Sequence, residues 1–502
     1  MMNSWSSRHF FIFIALTYLI RIAFTSFVGL IDDEAYHWTW TQDLMLSYYD
    51  HPGMIAWLEK LSTQFLGSTL WGVRLPSFIC YSAAVFFFYQ LAKDLFDRKV
   101  AQLATALFLW SPFYGFGGYV ASPEAPFILF WLLGAWVFWQ GVRPDGQRWS
   151  QKKTWLTLGI IMGIGLNSKF IIALLAPAFG LYMITTSHWR MLLTRWPWLG
   201  ILIATVLCLP IFIWNHEYGW PGFIYQFYDR HTGREFSMDR WLVWLSAQLV
   251  FYTPVLFGCM LASLFQFWKG WKQARFRFLF CMAFPSLALF YPQPLWADYK
   301  PHWAGAAHLF LLIGASYLIL NSLRWKKALL VGILSFYIPL NLLSYTPFLG
   351  PWMPTVYEQL KLEKPWDSKW DLSNEFYGWR ELGKQLNELQ HNYHRDSGAR
   401  PFIAALRYET TAQTWWGTQQ TTYMLSGVRS HYTVVQNKRK LLEGLKGLPA
   451  LVVTTEKYPA DPRNYAVWEK CQSQEFPIYR GRHLARNFTI WTCTQFNGLI
   501  ER

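Results

Sequence analysis

The sequence predicts a multi-span α-helical membrane protein with a small α/β domain after its last span. Of its 502 residues, 53% are hydrophobic and only 15% are charged, whereas soluble domains carry about 25% charged residues. Long apolar runs recur as far as residue 347, and the composition of the chain then changes. Residues 348–502 hold 20 Lys or Arg and 15 Asp or Glu and contain no run long enough to cross a bilayer.

Eleven apolar windows within residues 1–347 are predicted to form spanning helices, because a bilayer crossing needs about 20 apolar residues. The first window follows Arg8 and lacks a small-residue cleavage site, so we interpret it as an anchor and not as a removed signal peptide. The windows are 9–30, 74–92, 100–118, 124–141, 154–168, 170–186, 197–214, 241–267, 278–294, 304–320 and 328–347.

The distribution of Lys and Arg predicts how the chain is oriented. With the N-terminus inside, the cytoplasmic segments contain 17 Lys or Arg and three acids, while the opposite loops contain six Lys or Arg and twelve acids. Basic residues collect on the cytoplasmic side, so we expect the segment "GLIDDEAYHWTW" (29–40) and the C-terminal domain to be periplasmic. The net charge of +15 is then mostly a result of topology, and no nucleic-acid motif occurs.

The C-terminal domain, residues 348–502, shows helix and strand patterns. "NEFYGWRELGKQLNELQ" repeats apolar residues at spacings of three and four, which predicts an amphipathic helix. "PFIAALRY", "ALVVTT" and "NFTIWTCTQF" are typical of strands. Cys471 and Cys493 flank a predicted hairpin, and an oxidising compartment would allow a disulfide there. The cysteines in the spans are predicted to be packing residues: Cys80, Cys208, Cys259 and Cys281.

The first outer loop, roughly 31–73, is long for a connection and half apolar. Its interleaved Trp and Tyr predict short helices lying in the membrane interface, where aromatic residues are enriched. Asp32, Asp33 and Glu34 stand at its start, directly after the first span. Three such acids can simply mark the membrane interface, or they can take part in catalysis.

Six motifs, taken in chain order, favour a catalytic role for these acids: "DEAYHWTW", "YYDHPGMIAW", "VRLPS", "ASPEAPFILFW", "GLNSKF" and "HWAGAAHL". In this order the chain resembles the bacterial members of the GT-C glycosyltransferases, which are similar to protein O-mannosyltransferases and lipid A aminoarabinose transferases. The resemblance covers residues 10 to about 320 and is weak in the C-terminal domain. Gly53 stands where the family usually has a second Pro after His-Pro, and Glu124 stands where it often has Asp.

The resemblance implies a hexosyl- or pentosyltransferase that takes a sugar from a polyprenyl-phosphate carrier and transfers it, with inversion, on the outer side of the membrane. We expect an inner-membrane enzyme with an envelope lipid or glycan acceptor of the lipid A or lipopolysaccharide type. A protein acceptor is the alternative, but protein O-mannosyltransferases usually carry a β-trefoil insert that this sequence lacks. A transporter of lipid-linked sugars is a third interpretation, although no internal repeat is found.

The acids supply a candidate base, because an acceptor hydroxyl must lose its proton as the new bond forms. Asp33 matches the first acid of the family's Asp-Glu pair and is predicted to be the base or to orient the acceptor. Glu34, the second acid, is predicted to orient the acceptor or to hold a cation. Asp32 is an additional acid with no family counterpart.

Fixed cations are expected near the donor, because the leaving phosphate gains charge as the glycosidic bond breaks. Lys169 lies in the family's Ser-Lys-aromatic stretch and between two apolar runs, where an ammonium needs a partner. For each basic candidate, the alternative is a side chain that only extends its charge to the membrane interface. For Glu124, the alternative is an acid that only caps the N-terminus of a helix. The predicted substrate-binding residues are Tyr36, His51, Glu124, Lys169, Arg230, Arg234, Lys300 and His302.

A metal site is a weaker prediction. His37 and His51 could join Asp33 or Glu34, but no tight ligand spacing occurs, so we assign no metal ligands. The resemblance leaves a divalent cation open, since some relatives hold one and others need none. Arg21 lies within the first span and is predicted to pair inside the bundle, with Glu124 as one candidate.

Overall fold

The computed structural model describes residues 7–500 apart from 118–119, 145, 147, 232–234, 298, 323 and 362–363. Its helices up to residue 349 are α1 (Ser7–Phe27), α2 (Asp32–Trp40), α3 (Met54–Leu66), α4 (Leu70–Leu95), α5 (Arg98–Trp110), α6 (Pro112–Gly117), α7 (Glu124–Val142), α8 (Gln151–Leu166), α9 (Leu175–Ile184), α10 (Arg195–Leu207), α11 (Leu209–Tyr218), α12 (Pro221–Ile224), α13 (Met238–Tyr252), α14 (Pro254–Lys269), α15 (Ala274–Phe290), α16 (Gly305–Asn321) and α17 (Lys326–Leu349). The elements that follow are α18 (Trp352–Gln359), α19 (Trp379–Ser397), β1 (Phe402–Ala405), α20 (Tyr408–Thr418), β2 (Thr422–Met424), α21 (His431–Lys438), β3 (Ala450–Thr455), β4 (Lys470–Arg480) and β5 (His483–Thr494).

Helices occupy all eleven predicted windows, but the number of helices able to span a membrane alone is smaller. Within the described residues six helices are long and apolar enough, or up to nine if each of three bent helix pairs forms one span. The other two windows, 100–118 (its last residue lies outside the described part) and 154–168, contain α5 and α8. These helices have 13 and 16 residues, which is short for a full crossing.

The chain divides into two compact units that do not coincide with the predicted segments 1–347 and 348–502. The first, here the helical unit, contains residues 7–26, 46–58 and 74–342. The second, here the α/β unit, contains 27–45, 59–73 and 343–500. The first outer loop is therefore shared between the two units, because its helix α2 packs within the α/β unit and the segment 46–58 packs within the helical unit.

Small residues let two helices of the helical unit approach each other closely. A Cβ added to Gly159 of α8 would lie 2.4 Å from the carbonyl oxygen of Gly200 in α10. One turn further along, a Cβ added to Gly163 would lie 2.8 Å from the Cα of Ala204. Pairs of small residues four positions apart are typical of tight helix crossings in membranes. This crossing therefore holds α8, and with it the connection from α8 to α9, close to α10.

The α/β unit is built on a five-stranded sheet of order β2-β1-β3-β5-β4. Strand β1 is parallel to β2 and β3, while β5 is antiparallel to β3 and β4. Side chains alternate between two faces, so Ile403 packs with Trp379 of α19 whereas Phe402 packs with Phe496 on the other face. All of β3 is buried, as expected for a strand covered on both faces.

The structure confirms strands β1, β3 and β5 and the amphipathic helix α19. The helix begins at Trp379 and not at Asn374, because Gly378 precedes it with φ of 88° and interrupts the helical backbone. Strand β4 forms the predicted hairpin with β5, and Cys471 and Cys493, which face each other across it, are disulfide-bonded. Strand β2 was not predicted, since three residues are too few to show a period.

The first outer loop forms short helices as predicted, but the aromatic residues of α2 are buried by protein. Trp38 and Trp40 are each 1% exposed. Trp38 packs edge-on against Trp416 of α20, with ring centroids 4.9 Å apart. Thr39 and Tyr432 of α21 are joined through their hydroxyl groups at 2.8 Å. The aromatic residues of α2 are therefore core residues of the α/β unit.

We predict that Gly159→Leu destabilises the helical unit, because a larger side chain pushes α8 away from α10. Overpacking of this kind costs about 1–3 kcal/mol, so the temperature at which the detergent-purified protein loses its monodisperse peak should fall by several degrees. Gly180→Ala in α9 is the matched control, since an added Cβ there meets nothing within 4 Å. Equal thermal stability of the two variants would contradict the close crossing.

Candidate functional site

Backbone hydrogen bonds in the helical unit set the position of His51. The N–H of Met54 donates to the carbonyl oxygen of Asn167 at 2.9 Å. Gln226 Nε2 donates to the carbonyl oxygen of Asp50 at 2.6 Å. These two bonds tie the segment that carries His51 to the α8–α9 connection and to the segment that follows α12.

Glu124 is the centre of a charged cluster in the same unit. It begins α7, and its Oε1 accepts a hydrogen bond from Lys169 Nζ. His302 Nε2 lies 3.3 Å from the same oxygen. His51 is close enough for its charge to act on this carboxylate. The structure thus brings together four predicted residues from four separate segments, and we call His51, Glu124, Lys169 and His302 the Glu124 cluster.

Lys169 reaches Glu124 because the chain changes direction between α8 and α9. Asn167 ends α8 and donates its side-chain N–H groups to the carbonyl oxygens of Gly163 and Leu207. Lys169 follows in extended conformation, with φ of −160°, and its side chain is 7% exposed. An ammonium group so deeply buried is costly unless it is paired. The pair with Glu124 is therefore a requirement of the fold as well as a feature of the site.

Three buried side chains hold the turn that carries His302. Gln248 Nε2 donates to the carbonyl oxygen of Pro301 at 2.9 Å. Tyr114 OH donates to the carbonyl oxygen of Gly305 at 2.5 Å, and the indole N–H of Trp131 donates to the next carbonyl oxygen at 3.1 Å. The sequence analysis did not single out these residues. A glutamine inside an apolar window was the one signal that could have identified Gln248.

Arg230 and Lys300 lie close to the Glu124 cluster. The Arg230 guanidinium donates to Gln226 Oε1 at 2.8 Å and is 5.1 Å from the ring centroid of Trp303, the neighbour of His302. Lys300 is exposed, and its charge acts on His302. Both predicted cations are thus in the region of His302. The other predicted cation, Arg234, lies outside the described residues.

The three acids of α2 occupy different environments in the α/β unit. Glu34 is fully buried, and its Oε2 accepts the backbone N–H of Ile31 at 3.0 Å, which caps the helix. Asp32 Oδ1 accepts a 3.3 Å hydrogen bond from Gln413 Nε2. Asp33 is the exposed member of the three. The Glu34 carboxylate caps α2, because the residues form a helix and not a strand or turn. The role of Glu34 in orienting the acceptor or holding a cation stays a prediction.

Burial changes the ionisation of two acids in this region. Burial and the nearby Glu375 carboxylate raise the pKa of Asp32 to about 6, against the opposing charges of Arg486 and Lys457. Glu59 of α3 is fully buried, and its pKa is raised well above the usual range by burial and by Glu34. The sequence analysis gave Glu59 no role, and nothing in its local pattern distinguishes it from a surface acid.

Tyr36 packs within the α/β unit, and its predicted contact with substrate stays a prediction. It is 4% exposed, and its hydroxyl accepts the backbone N–H of His431 at 2.9 Å. Its ring packs against Tyr408, with centroids 4.9 Å apart. This long-range contact with α20 and α21 could not be predicted from the local pattern around α2.

Arg21 does not pair with Glu124. Its Nη2 donates to the carbonyl oxygen of Leu109 at 2.7 Å, and the guanidinium lies 5.0 Å from the ring centroid of Tyr81. In the part of the chain that the structure describes, no group of three or more His, Cys, Asp or Glu could hold a metal ion. His37 lies in the α/β unit, where its ring packs against Trp40.

Comparisons with known proteins show what the chain is similar to. The family model of dolichyl-phosphate-mannose-protein mannosyltransferases matches residues 50–214. The chain is 24% identical over 329 residues to the lipid A galacturonosyltransferase RgtD of Rhizobium johnstonii, covering 61% of this chain and 65% of that one. It is 29% identical over 264 residues to the undecaprenyl phosphate-α-4-amino-4-deoxy-L-arabinose arabinosyl transferase of Pseudomonas aeruginosa, covering 50% and 47%. The matches thus span less than two thirds of these relatives' length.

A solved structure extends the similarity to nearly the whole chain. ArnT from Cupriavidus metallidurans, in a crystal structure with bound undecaprenyl phosphate, superposes with a TM-score of 0.67 at 13% identity. The superposition covers 96% of this chain and 97% of that one. The chain has the GT-C fold. It is a multi-span membrane protein of this fold, and the expectation drawn from its motifs is confirmed at the level of the fold.

We predict that Lys169→Met destabilises the protein by about 3 kcal/mol, at the low end for a broken buried pair because Glu124 is 24% exposed. The double variant Glu124→Gln/Lys169→Met leaves no charge unpaired and should recover most of the loss. Thermal retention of the monodisperse peak in detergent measures both effects. A Lys169→Met protein as stable as the wild type would show that the pair contributes nothing to the fold.

We also predict that Asp32→Asn stabilises the protein at high pH. Because the pKa of Asp32 is raised to about 6, the folded state holds this proton more tightly than the unfolded chain does. Stability is therefore lost as the pH rises from the ordinary aspartate pKa of 3.8 to about 6, and asparagine avoids the loss. The melting temperature of Asp32→Asn should exceed that of the wild type at about pH 8 and by much less at about pH 4.

The control for this pH dependence is Asp396→Asn, which changes an exposed acid on α19. The wild type and Asp396→Asn both keep Asp32, so their melting temperatures should change with pH in the same way. A difference between Asp32→Asn and the wild type that is equally large at both pH values would contradict a raised pKa of Asp32.

Proposed function

We propose that this protein is an inverting glycosyltransferase of the inner membrane, which moves a sugar from a polyprenyl-phosphate donor to an envelope lipid or glycan on the periplasmic side. One observation carries the proposal: Lys169 and His302 contact Glu124, with His51 near enough to act on its charge, in a chain that shares its fold with ArnT. The lipid bound in that ArnT crystal structure is undecaprenyl phosphate.

The Glu124 cluster suits a lipid phosphate that leaves during the reaction. Negative charge grows on the phosphate oxygens as the glycosidic bond breaks, and fixed cations in a site of low dielectric stabilise that charge. Lys169 supplies a point charge, and Arg230 supplies a fork of N–H groups suited to phosphate. Glu124 holds Lys169 in place before the donor arrives, Lys300 extends the positive region, and His302 supplies a ring N–H as a hydrogen-bond donor. Each of these roles is part of the proposal.

Asp33 is proposed as the base that takes the proton from the acceptor hydroxyl. An inverting transfer needs one base on the face opposite the leaving phosphate. Of the three acids in α2, Glu34 is committed to capping the helix and Asp32 contacts Gln413, while Asp33 is exposed. The proposed steps use side chains of this chain alone, and transfer measured with and without a chelator would decide whether a divalent cation takes part.

The proposed acceptor and location rest on the relatives and on one feature of the chain. One relative is named for galacturonosyl transfer to lipid A, and this favours an acceptor of the lipid A or lipopolysaccharide type. The disulfide between Cys471 and Cys493 suits an oxidising compartment such as the periplasm. A protein acceptor is the second candidate, because the family model that matches residues 50–214 describes protein mannosyltransferases.

We predict that Asp33→Asn lowers sugar transfer by about a hundredfold or more, as expected when a general base is removed. The assay uses membranes from cells that express equal amounts of each variant, supplied with a labelled polyprenyl-phosphate sugar. Asp32→Asn is the matched control: it removes the adjacent charge from an acid that faces Gln413, and transfer should stay near that of the wild type.

The fractions that receive label distinguish the candidate functions. Label in lipid or glycan supports the proposal, and label in protein supports the mannosyltransferase alternative. Transfer by Asp33→Asn at the wild-type rate would remove Asp33 from the mechanism. Movement of labelled donor across the membrane without transfer would indicate a transporter.

A further inference from the structure

A groove in the helical unit lies away from the Glu124 cluster. It has a volume of about 460 Å³, within the size range of about 300–1,000 Å³ of ligand pockets. Helices α14 and α17 and the end of α16 form its walls, and its lining is apolar except for a serine hydroxyl and an indole N–H. Its lining includes Val255, Gly258, Ala262, Leu318, Trp325 and Leu329.

Packing closes one end of the groove and leaves space along its wall. A Cβ added to Gly332 of α17 would lie 3.1 Å from the side chain of Val255 in α14, so these helices are in contact beyond the groove. A Cβ added to Gly258, in contrast, meets nothing within 4 Å. Leu329 and Trp325 line the groove toward the start of α17. The groove therefore extends from the turn before α17 into the apolar part of the bundle.

Three cations, Arg324, Lys326 and Lys327, stand at this end of the groove. The sequence contains no Asp or Glu between Asp298 and Glu358, and among the described residues no carboxylate forms an ion pair with any of the three. Arg324 contacts the Trp325 ring, with its guanidinium 5.6 Å from the centroid. These charges are therefore available to an external anion.

A bound anion would offset the repulsion of the three cations at the start of α17. The helix begins at Lys326, and the start of a helix carries partial positive charge that disfavours cations and attracts anions. The preference for basic residues on the cytoplasmic side explains their presence on this side. It does not explain why three of them crowd the positive end of a helix beside an apolar groove.

We propose that this groove binds an anionic glycerophospholipid of the cytoplasmic leaflet, with one acyl chain in the groove and its phosphate at Arg324, Lys326 and Lys327. Charge complementarity selects an anionic headgroup over a zwitterionic one, as for basic pockets between membrane helices on this side. The lipid also supplies contacts that α17 lacks, since 11% of its apolar window is buried by protein. The proposal does not depend on the proposed sugar transfer.

Native mass spectrometry of the full-length protein in detergent tests the proposal. The probes are phosphatidylglycerol and phosphatidylethanolamine with identical acyl chains. We expect the wild type to bind phosphatidylglycerol at least tenfold more tightly. The variant Arg324→Gln/Lys326→Gln/Lys327→Gln should lose this preference. The matched control, Lys93→Gln/Arg98→Gln/Lys99→Gln, removes three exposed cations from the same predicted side of the membrane and should keep it.

Filling the groove tests the acyl-chain part of the proposal separately. Gly258→Leu places a side chain in the open space of the groove. Ala262→Leu fills the groove from an exposed position that does not disturb the core, and it replaces the first variant if that one misfolds. Both should weaken binding of phosphatidylglycerol at least tenfold, whereas glycerol 3-phosphate should not displace the lipid. Displacement by glycerol 3-phosphate would show that the groove is not used.

Three other results would overturn the proposal. The first is equal binding of the two phospholipids by the wild type. The second is an equal loss of preference in the control triple variant, which would indicate attraction to the whole basic surface. The third is displacement of phosphatidylglycerol by undecaprenyl phosphate at equal concentration, which would make the donor lipid the occupant.

Discussion

The ion pair between Glu124 and Lys169 is the interaction on which the candidate site depends. Neither charge is stable alone at the edge of an apolar bundle, because an unpaired buried charge costs several kcal/mol. Pairing them fixes the start of α7 against the α8–α9 connection. His302 can approach the same carboxylate because buried side chains hold its turn by three backbone carbonyl groups. The packed helices thus fix the backbone around the site, and the charged side chains meet at one position in the helical unit.

This pairing also explains how a strongly basic site is kept in a low-dielectric setting. Like charges repel strongly where water is scarce, so cations for a phosphate cannot simply be collected there. Glu124 offsets Lys169 while the site is without a donor. A phosphate that arrives brings its own negative charge and can share Lys169 and His302. The site is therefore preorganised for an anion, which is the property that electrostatic catalysis needs.

The sequence predicted the fold class and identified each member of the Glu124 cluster as a candidate, since apolar windows and charged motifs are local signals, but it did not predict that the four side chains come together. It could not predict what α2 does. Ile31 is an unusual residue to precede a helix, so the capping role of Glu34 was hidden. The packing of Tyr36 could not be predicted because its partner His431 is almost four hundred residues away. Gln248 was not predicted because its side chain donates to a backbone carbonyl oxygen, and every residue has such a group, so no sequence motif marks the contact. The short helices α5 and α8 were taken for full spans because windows show apolar character but not where a helix ends.

Binding of undecaprenyl phosphate tests the central claim most directly, because it isolates recognition of the donor phosphate from sugar transfer. The proteins to compare are the wild type and the double variant Glu124→Gln/Lys169→Met, in which no charge of the pair is left alone. Hydrogen bonds to charged groups contribute about 1.5–3 kcal/mol each, so the account predicts at least tenfold weaker binding by a double variant that remains folded. Equal affinity of the two folded proteins would contradict it and would make the pair a structural feature alone.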